Sequence, residues 1–161
     1  MTLVRFENNT APYINAENLN NNFEELAEKN VMTAINVNTV TTGYNTYDKI
    51  TLEEYTKVGE KLTIENGGIK IGSGISYIKA SASIIFSSVV NSTTRHHIIV
   101  RKNDGQALLG IARFNGNWES IATNEVLISV KENDIIYLYV RTQDAGGSTT
   151  DACTLTVEAI K

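Results

Sequence analysis

The sequence predicts a mainly β protein, an antiparallel sandwich or barrel preceded by a short helix, and three observations carry that reading. Apolar and polar residues alternate along ISYIKASASIIF, Ile75 to Phe86, and a period of two marks a strand with one buried face. Turn-forming groups recur from Asn66 onward: Asn66-Gly67-Gly68, Gly72-Ser73-Gly74, Asn103-Asp104-Gly105, Asn115-Gly116-Asn117 and Glu132-Asn133-Asp134. Such even punctuation belongs to many short antiparallel strands. Only Asn15 to Lys29 changes period, with Ala16, Leu19, Phe23 and Leu26 spaced three and four apart, one face of a helix.

In chain order, Met1 to Tyr13 reads as extended, since Pro12 disfavours helix at the residue before it. Asn15 is the N-cap candidate of the helix, because an Asn side chain accepts from the unpaired amides of a first turn. The narrow stripe Ala16, Leu19, Phe23 and Leu26 on an otherwise Asn- and Glu-rich helix needs a partner. Spacing near 3.5 residues favours copies of itself. Asn30 to Asn45 is expected to be an extended connector or weak strand, which places the boundary between an N-terminal segment, 1–45, and a head, 46–161.

Within the head, Thr46 to Lys57 is a mixed stretch, and Lys61 to Glu65 and Ile69 to Ile71 form a hairpin around Asn66-Gly67. Asn-Gly supplies the positive φ angles of a tight turn. In the central strand one register carries Ile78, Ala80, Ala82, Ile84 and Phe86 and the other Tyr77, Lys79, Ser81, Ser83 and Ile85. The first is the core register, and the serines of the second suit a close neighbouring subunit as well as water. His96 to Lys102, Ala107 to Phe114, Trp118 to Ala122, Glu125 to Lys131 and Ile135 to Thr142 follow as strands. A polar tip, Gln143 to Asp151, then leads to a last strand, Cys153 to Ile160.

Composition excludes several functions. The chain has 161 residues, enough for one core, and a net charge of -4 with scattered Lys and Arg; without a basic stripe it is not a nucleic-acid binder. One cysteine, Cys153, excludes an internal disulfide, and in a strand it reads as a buried, inert thiol. His96 and His97 point to opposite faces of a strand and do not share a metal ion. No phosphate loop, dinucleotide fingerprint or Gly-x-Ser-x-Gly elbow occurs, and Glu24-Glu25 and Glu53-Glu54 are adjacent rather than opposed. We therefore expect no enzyme, no metal and no cofactor. MTLVRFENNT lacks the apolar core of a signal peptide and no apolar run reaches membrane-spanning length, so synthesis in the cytoplasm without membrane insertion is expected. The ligand-binding candidates are Trp118 with Asn115 and Asn117, and Arg95 with His97, because an aromatic face bordered by amides holds carbohydrate. As a large aromatic of a sandwich, Trp118 suits a core or interface anchor better than a sugar platform.

Four segments, KLTIENGGIKIGSGISYIKASASIIF, HIIVRKNDGQ, VLISVKENDIIYLYV and CTLTVEAIK, resemble the jelly roll of the complement globular head and tumour necrosis factor superfamily. The likeness spans Leu62 to Lys161. Lys102-Asn103-Asp104-Gly105 stands for that family's Lys-Asn-Gly turn with one residue inserted, and Lys131-Glu132-Asn133-Asp134 carries Asn-Asp where the family has Gly-Asp. This resemblance implies a jelly-roll sandwich and a homotrimer with the central strands around a threefold axis, which puts Tyr77, Ser81 and Ser83 in the subunit interface.

Independently, INAENLNNNFEEL is similar to a Pro-x-x-Asn-Ala-Glu-x-Leu-Asn element near the start of tail-fibre, baseplate and head-fibre proteins of bacteriophages of Gram-positive bacteria; Pro12, Asn15, Ala16, Glu17, Leu19 and Asn20 match it. Together the two resemblances imply a virion appendage. Its helical stem, lined by Ala16, Leu19, Phe23 and Leu26, would meet other virion proteins, and its head would meet a host surface polysaccharide or protein. A decoration protein without a receptor and a carbohydrate-binding module are the alternatives.

Overall fold

The structure, a computed structural model, describes residues 29–89, 95–103, 105, 107–113, 119–143 and 148–160. The expected helix with Ala16, Leu19, Phe23 and Leu26 lies outside the described residues, as do Asn115, Asn117 and Trp118. Among the described residues every regular element is a strand: β1 Val31–Asn36, β2 Val40–Thr42, β3 Asp48–Ile50, β4 Glu53–Val58, β5 Leu62–Glu65, β6 Gly68–Ile71, β7 Tyr77–Val89, β8 Arg95–Lys102, β9 Ala107–Arg113, β10 Glu119–Ala122, β11 Val126–Ser129, β12 Ile135–Thr142 and β13 Ser148–Ile160.

These strands form two sheets. The first runs β10-β7-β13-β1-β4, with β11 also on β7 and β2 on β13; the second runs β5-β6-β12-β8-β9, with β3 also on β12. All these strand pairings are antiparallel. One core fills the space between them, with Ile78, Ile84, Phe86 and Leu155 from the first sheet against Ile69, Ile98, Leu138 and Val140 from the second. Each such side chain removed from water contributes roughly 1.5–3 kcal/mol, and this burial fixes the register, because a slip of one residue would turn the set to solvent.

The central strand behaves as its alternation requires: Ile78, Ala80, Ala82, Ile84 and Phe86 are all buried. Its neighbour β13 pairs with it from Ser148↔Val89 to Ile160↔Tyr77, with register shifts around Thr150. Thr123 closes the gap between β10 and β11 along the opposite edge. Its amide donates to the Ala82 carbonyl at 2.8 Å, and its hydroxyl accepts from the Ala82 amide at 2.9 Å. The Asn66-Gly67 turn joins β5 and β6 with both residues at positive φ, 51° and 74°, as a two-residue hairpin demands.

Two stretches differ from expectation. Val31–Asn36, expected as connector or weak strand, is an interior strand between β13 and β4, with Met32 and Ala34 fully buried. The sandwich therefore takes in residues ahead of Thr46. Ser148–Asp151, expected within a polar tip, already belongs to β13, because β7 and β2 flank it and supply its backbone partners. Asn30 anchors the chain as it enters β1: its side-chain oxygen accepts from the Lys61 amide at 2.9 Å, and its carbonyl accepts from Ala159 N at 2.8 Å. Gly59, at φ 78°, lies so close that a Cβ there would stand 2.3 Å from that side-chain oxygen.

Candidate functional site

The outer face of the first sheet is the first candidate surface. Pairing sets Thr33 opposite Thr156 and Thr156 opposite Ser81, and in the next row Thr154 opposite Ser83. The result is a floor of short hydroxyl side chains on the three middle strands. Thr33 and Thr156 share a hydrogen bond of 3.0 Å, and Ser83 and Thr154 one of 2.6 Å. Hydroxyls satisfied along the sheet carry little demand for water, so another surface can approach them closely. Large apolar side chains rim this floor: Tyr77, Ile85, Leu127 and Val58 are 49%, 40%, 60% and 53% exposed. At one end Lys79 pairs with Glu125 at 2.9 Å and Lys29 approaches Glu158 at 3.9 Å, and at the other the exposed Glu53 of β4 stands opposite Ile35. The expected Tyr77, Ser81 and Ser83 thus sit together on an open face.

The outer face of the second sheet carries cations and tyrosines. Tyr137, Tyr139 and Arg141 share one register of β12, and Arg101 and His97 stand across from Tyr137 and Arg141 on β8. Lys49 faces Tyr139 from β3. The Arg101 guanidinium lies 4.6 Å from the Tyr47 ring centre and 4.7 Å from that of Tyr139. Arg141 also lies over Tyr47, at 5.0 Å. It donates through Nη1 to the Tyr47 hydroxyl at 3.1 Å and through Nε to Asn45 Oδ1 at 3.0 Å, and Nη2 donates to the same oxygen. Lys49 Nζ sits 3.9 Å over the Tyr137 ring. Cations over the negative face of an aromatic ring are held there by its quadrupole.

The other residues singled out by sequence have plainer places. His96 is fully buried with its ring 4.6 Å from that of Phe86, so it is a core residue. His97 lies on the opposite face of β8, half-buried. Arg95 begins β8 opposite Arg113. The structure therefore brings His97 into the Arg–Tyr surface, opposite Arg141. Cys153 is buried; burial pushes its thiol up to about 11, against a smaller opposing effect of the Thr150 hydroxyl, which leaves no nucleophilic thiolate at neutral pH. Among the described residues no three His, Cys, Asp or Glu side chains group to hold a metal ion.

Sequence reasoning missed Tyr47, Arg101, Tyr139 and Arg141. The alternation in IIYLYVRT does put Tyr137, Tyr139 and Arg141 on one face. Nothing local shows that β3 and β8 bring Tyr47 and Arg101 beside them.

No protein-family model and no curated protein matches the chain. Solved structures do match by shape. PRD1 vertex protein P5 superposes with a TM-score of 0.63 at 12% identity, over 82% of this chain and 97% of that one. Murine APRIL at pH 8.0 gives 0.57 at 11% identity, over 83% and 100%. The globular domain of zebrafish complement 1qA protein gives 0.58 at 9% identity, over 82% and 98%. At such low identity the likeness is one of fold: the described part of the chain is an antiparallel jelly roll of the tumour necrosis factor and complement globular-head kind, a fold that the PRD1 vertex protein also uses.

Proposed function

We propose that this chain is the head subunit of a homotrimeric phage virion appendage, a spike or fibre. Three copies meet across the outer face of the first sheet, and the assembled head is presented to a host-surface polysaccharide or protein. The observation that carries this reading is the hydroxyl floor of Thr33, Thr154, Thr156, Ser81 and Ser83 inside a rim of exposed Tyr77, Ile85, Leu127 and Val58. A flat, small-residue centre admits close backbone approach, and its apolar rim gains from leaving water. The fold shared with a vertex protein supports a place in a virion. The stem stripe Ala16, Leu19, Phe23 and Leu26 would extend the same axis and engage other virion proteins. Three weak receptor sites on one rigid head act together, since binding of the first raises the effective concentration of the others.

A single substitution tests the assembly. Ser83→Arg places a long charged side chain on the floor, where a free sheet tolerates it and a subunit contact does not. We expect the variant to keep its β-sheet circular dichroism while its sedimentation falls to that of one chain. A variant that assembles like the wild type refutes this interface. Binding of the wild-type protein to a glycan array supports the receptor role, and silence there together with intact assembly favours a decoration protein.

A further inference from the structure

The Arg–Tyr surface of the second sheet is unusual in its charge balance. Arg101, Arg141 and Lys49 converge on it in a chain whose net charge is -4. The ion pairs formed among the described residues involve Lys29, Lys57, Lys70 and Lys79, and none involves these three. Two guanidinium groups stand within 5.0 Å of the centre of a single ring, Tyr47. Like charges gathered around one ring repel each other, and a bound anion relieves that repulsion. Asp48, the sequence neighbour of Tyr47 and Lys49, is committed elsewhere. It accepts from the Gly43 amide at 2.8 Å and from the Thr46 hydroxyl at 2.9 Å, and it alternates with Lys49 to the other side of β3.

The donors are set for an incoming acceptor. Stacking occupies the faces of a guanidinium and leaves its N–H groups pointing outward in its plane. Arg141 gives its bonds to Asn45 and Tyr47, and these hold it rigid. Arg101 Nε is shielded from water and meets no acceptor among the described residues. A buried donor without an acceptor costs free energy; the terminal Nη groups of Arg101 are the ones an anion reaches, and charge-assisted bonds to them are strong. Beside the cations lies a half-exposed ring, Tyr47, 46% exposed, and the Asn45 amide ties this segment to β12 by donating to the Thr142 carbonyl at 2.7 Å. An exposed aromatic face takes the apolar face of a sugar ring.

We propose that Arg101, Arg141, Lys49 and Tyr47 form a binding site for an anionic saccharide, a sugar carrying a phosphate or a carboxylate. Arg101 and Arg141 take the anionic group, Lys49 adds charge, and the exposed part of Tyr47 meets the ring. For its biological meaning this rests on the host-surface role proposed above; the binding itself does not require the trimer.

Titration calorimetry of the full chain at low salt, with glucose 1-phosphate, glucuronate, glucose and inorganic phosphate, tests the site. Glucose 1-phosphate, glucuronate or both are expected to bind, which also tells phosphate from carboxylate as the preferred group, and neutral glucose is expected not to. Arg141→Gln and Arg101→Gln should each weaken binding at least about tenfold while the thermal melt still reports a folded head. No binding of either charged sugar, unchanged binding in both arginine variants, or inorganic phosphate binding as tightly as glucose 1-phosphate each overturns the proposal. A chain that sediments as a monomer yet binds charged sugar sinks the trimer and keeps the site. A trimer blind to charged sugars does the reverse.

Discussion

Asp134 offers the sharpest test of what holds the head together. Its carboxylate is 3% exposed, at the turn where Asp134 N donates to the Lys131 carbonyl at 3.1 Å. One oxygen accepts from Asn103 Nδ2 at 2.9 Å and the other from Lys131 N at 3.0 Å. Asn103, itself at φ 51°, accepts from Ile135 N at 2.8 Å, so this one side chain ties the β8–β9 turn to the start of β12. Hydrogen bonds to a charged group are worth roughly 1.5–3 kcal/mol each. Asp134→Ala removes two of them and leaves the Lys131 amide without its acceptor, so a loss of about 3 kcal/mol is expected, and Asp134→Asn should lose about half that.

The sign of the pH dependence follows from the same contacts. Burial works against the charge, but the bonds from Asn103 and Lys131 N and the nearby Lys102 and Lys131 charges outweigh it and hold this carboxyl below its ordinary value. A lowered native value means that the stabilisation is complete above the unfolded carboxyl's range, near pH 4, and is lost as pH falls through the native value. Urea unfolding followed by circular dichroism, at one protein concentration and at pH 7 and pH 3, should therefore show a gap between wild type and Asp134→Asn that narrows in acid. A gap equal at both pH values, or Asp134→Ala within about 0.5 kcal/mol of wild type at pH 7, refutes the reasoning.

Two further outcomes are open to simple assays. A Cβ added at Gly68 would lie 2.5 Å from the Tyr137 ring and 2.8 Å from the Ile136 carbonyl, so Gly68→Ala should lower unfolding free energy by roughly 1–3 kcal/mol and change tyrosine fluorescence; an unchanged melt contradicts the packing of Tyr137 over β6. Cys153, buried and with its thiol raised to about 11, should react with a disulfide reagent at pH 8 only as fast as the protein unfolds. Immediate labelling in the native state contradicts its place in β13.

Much of the sandwich was legible because its strands contrast their two faces. The run from Ile78 to Phe86 and the turn Asn66-Gly67 announce themselves, since burial selects period two and positive φ selects Asn and Gly. β1 did not, for a physical reason. Its inward register is Met32, Ala34 and Asn36 and its outward one Val31, Thr33 and Ile35, so neither face reads as polar. Asn36 is tolerated inside because its amide donates to the Thr51 carbonyl at 2.6 Å, a contact that only the finished fold supplies. The Arg–Tyr surface was illegible in the same way, because β3, β8 and β12 are far apart in sequence and meet only through sheet order. The hydroxyl floor was half legible: Ser81 and Ser83 stood out, whereas Thr33, Thr154 and Thr156 became part of it only through the pairing of β13 with β1 and β7.

The most direct trial of the whole account is the solution mass of the wild-type protein at micromolar concentration, by sedimentation equilibrium. The account predicts three times the 17.7 kDa of one chain, stable on dilution. A single-chain mass would contradict it, because the open face of the first sheet would then be a plain solvent surface.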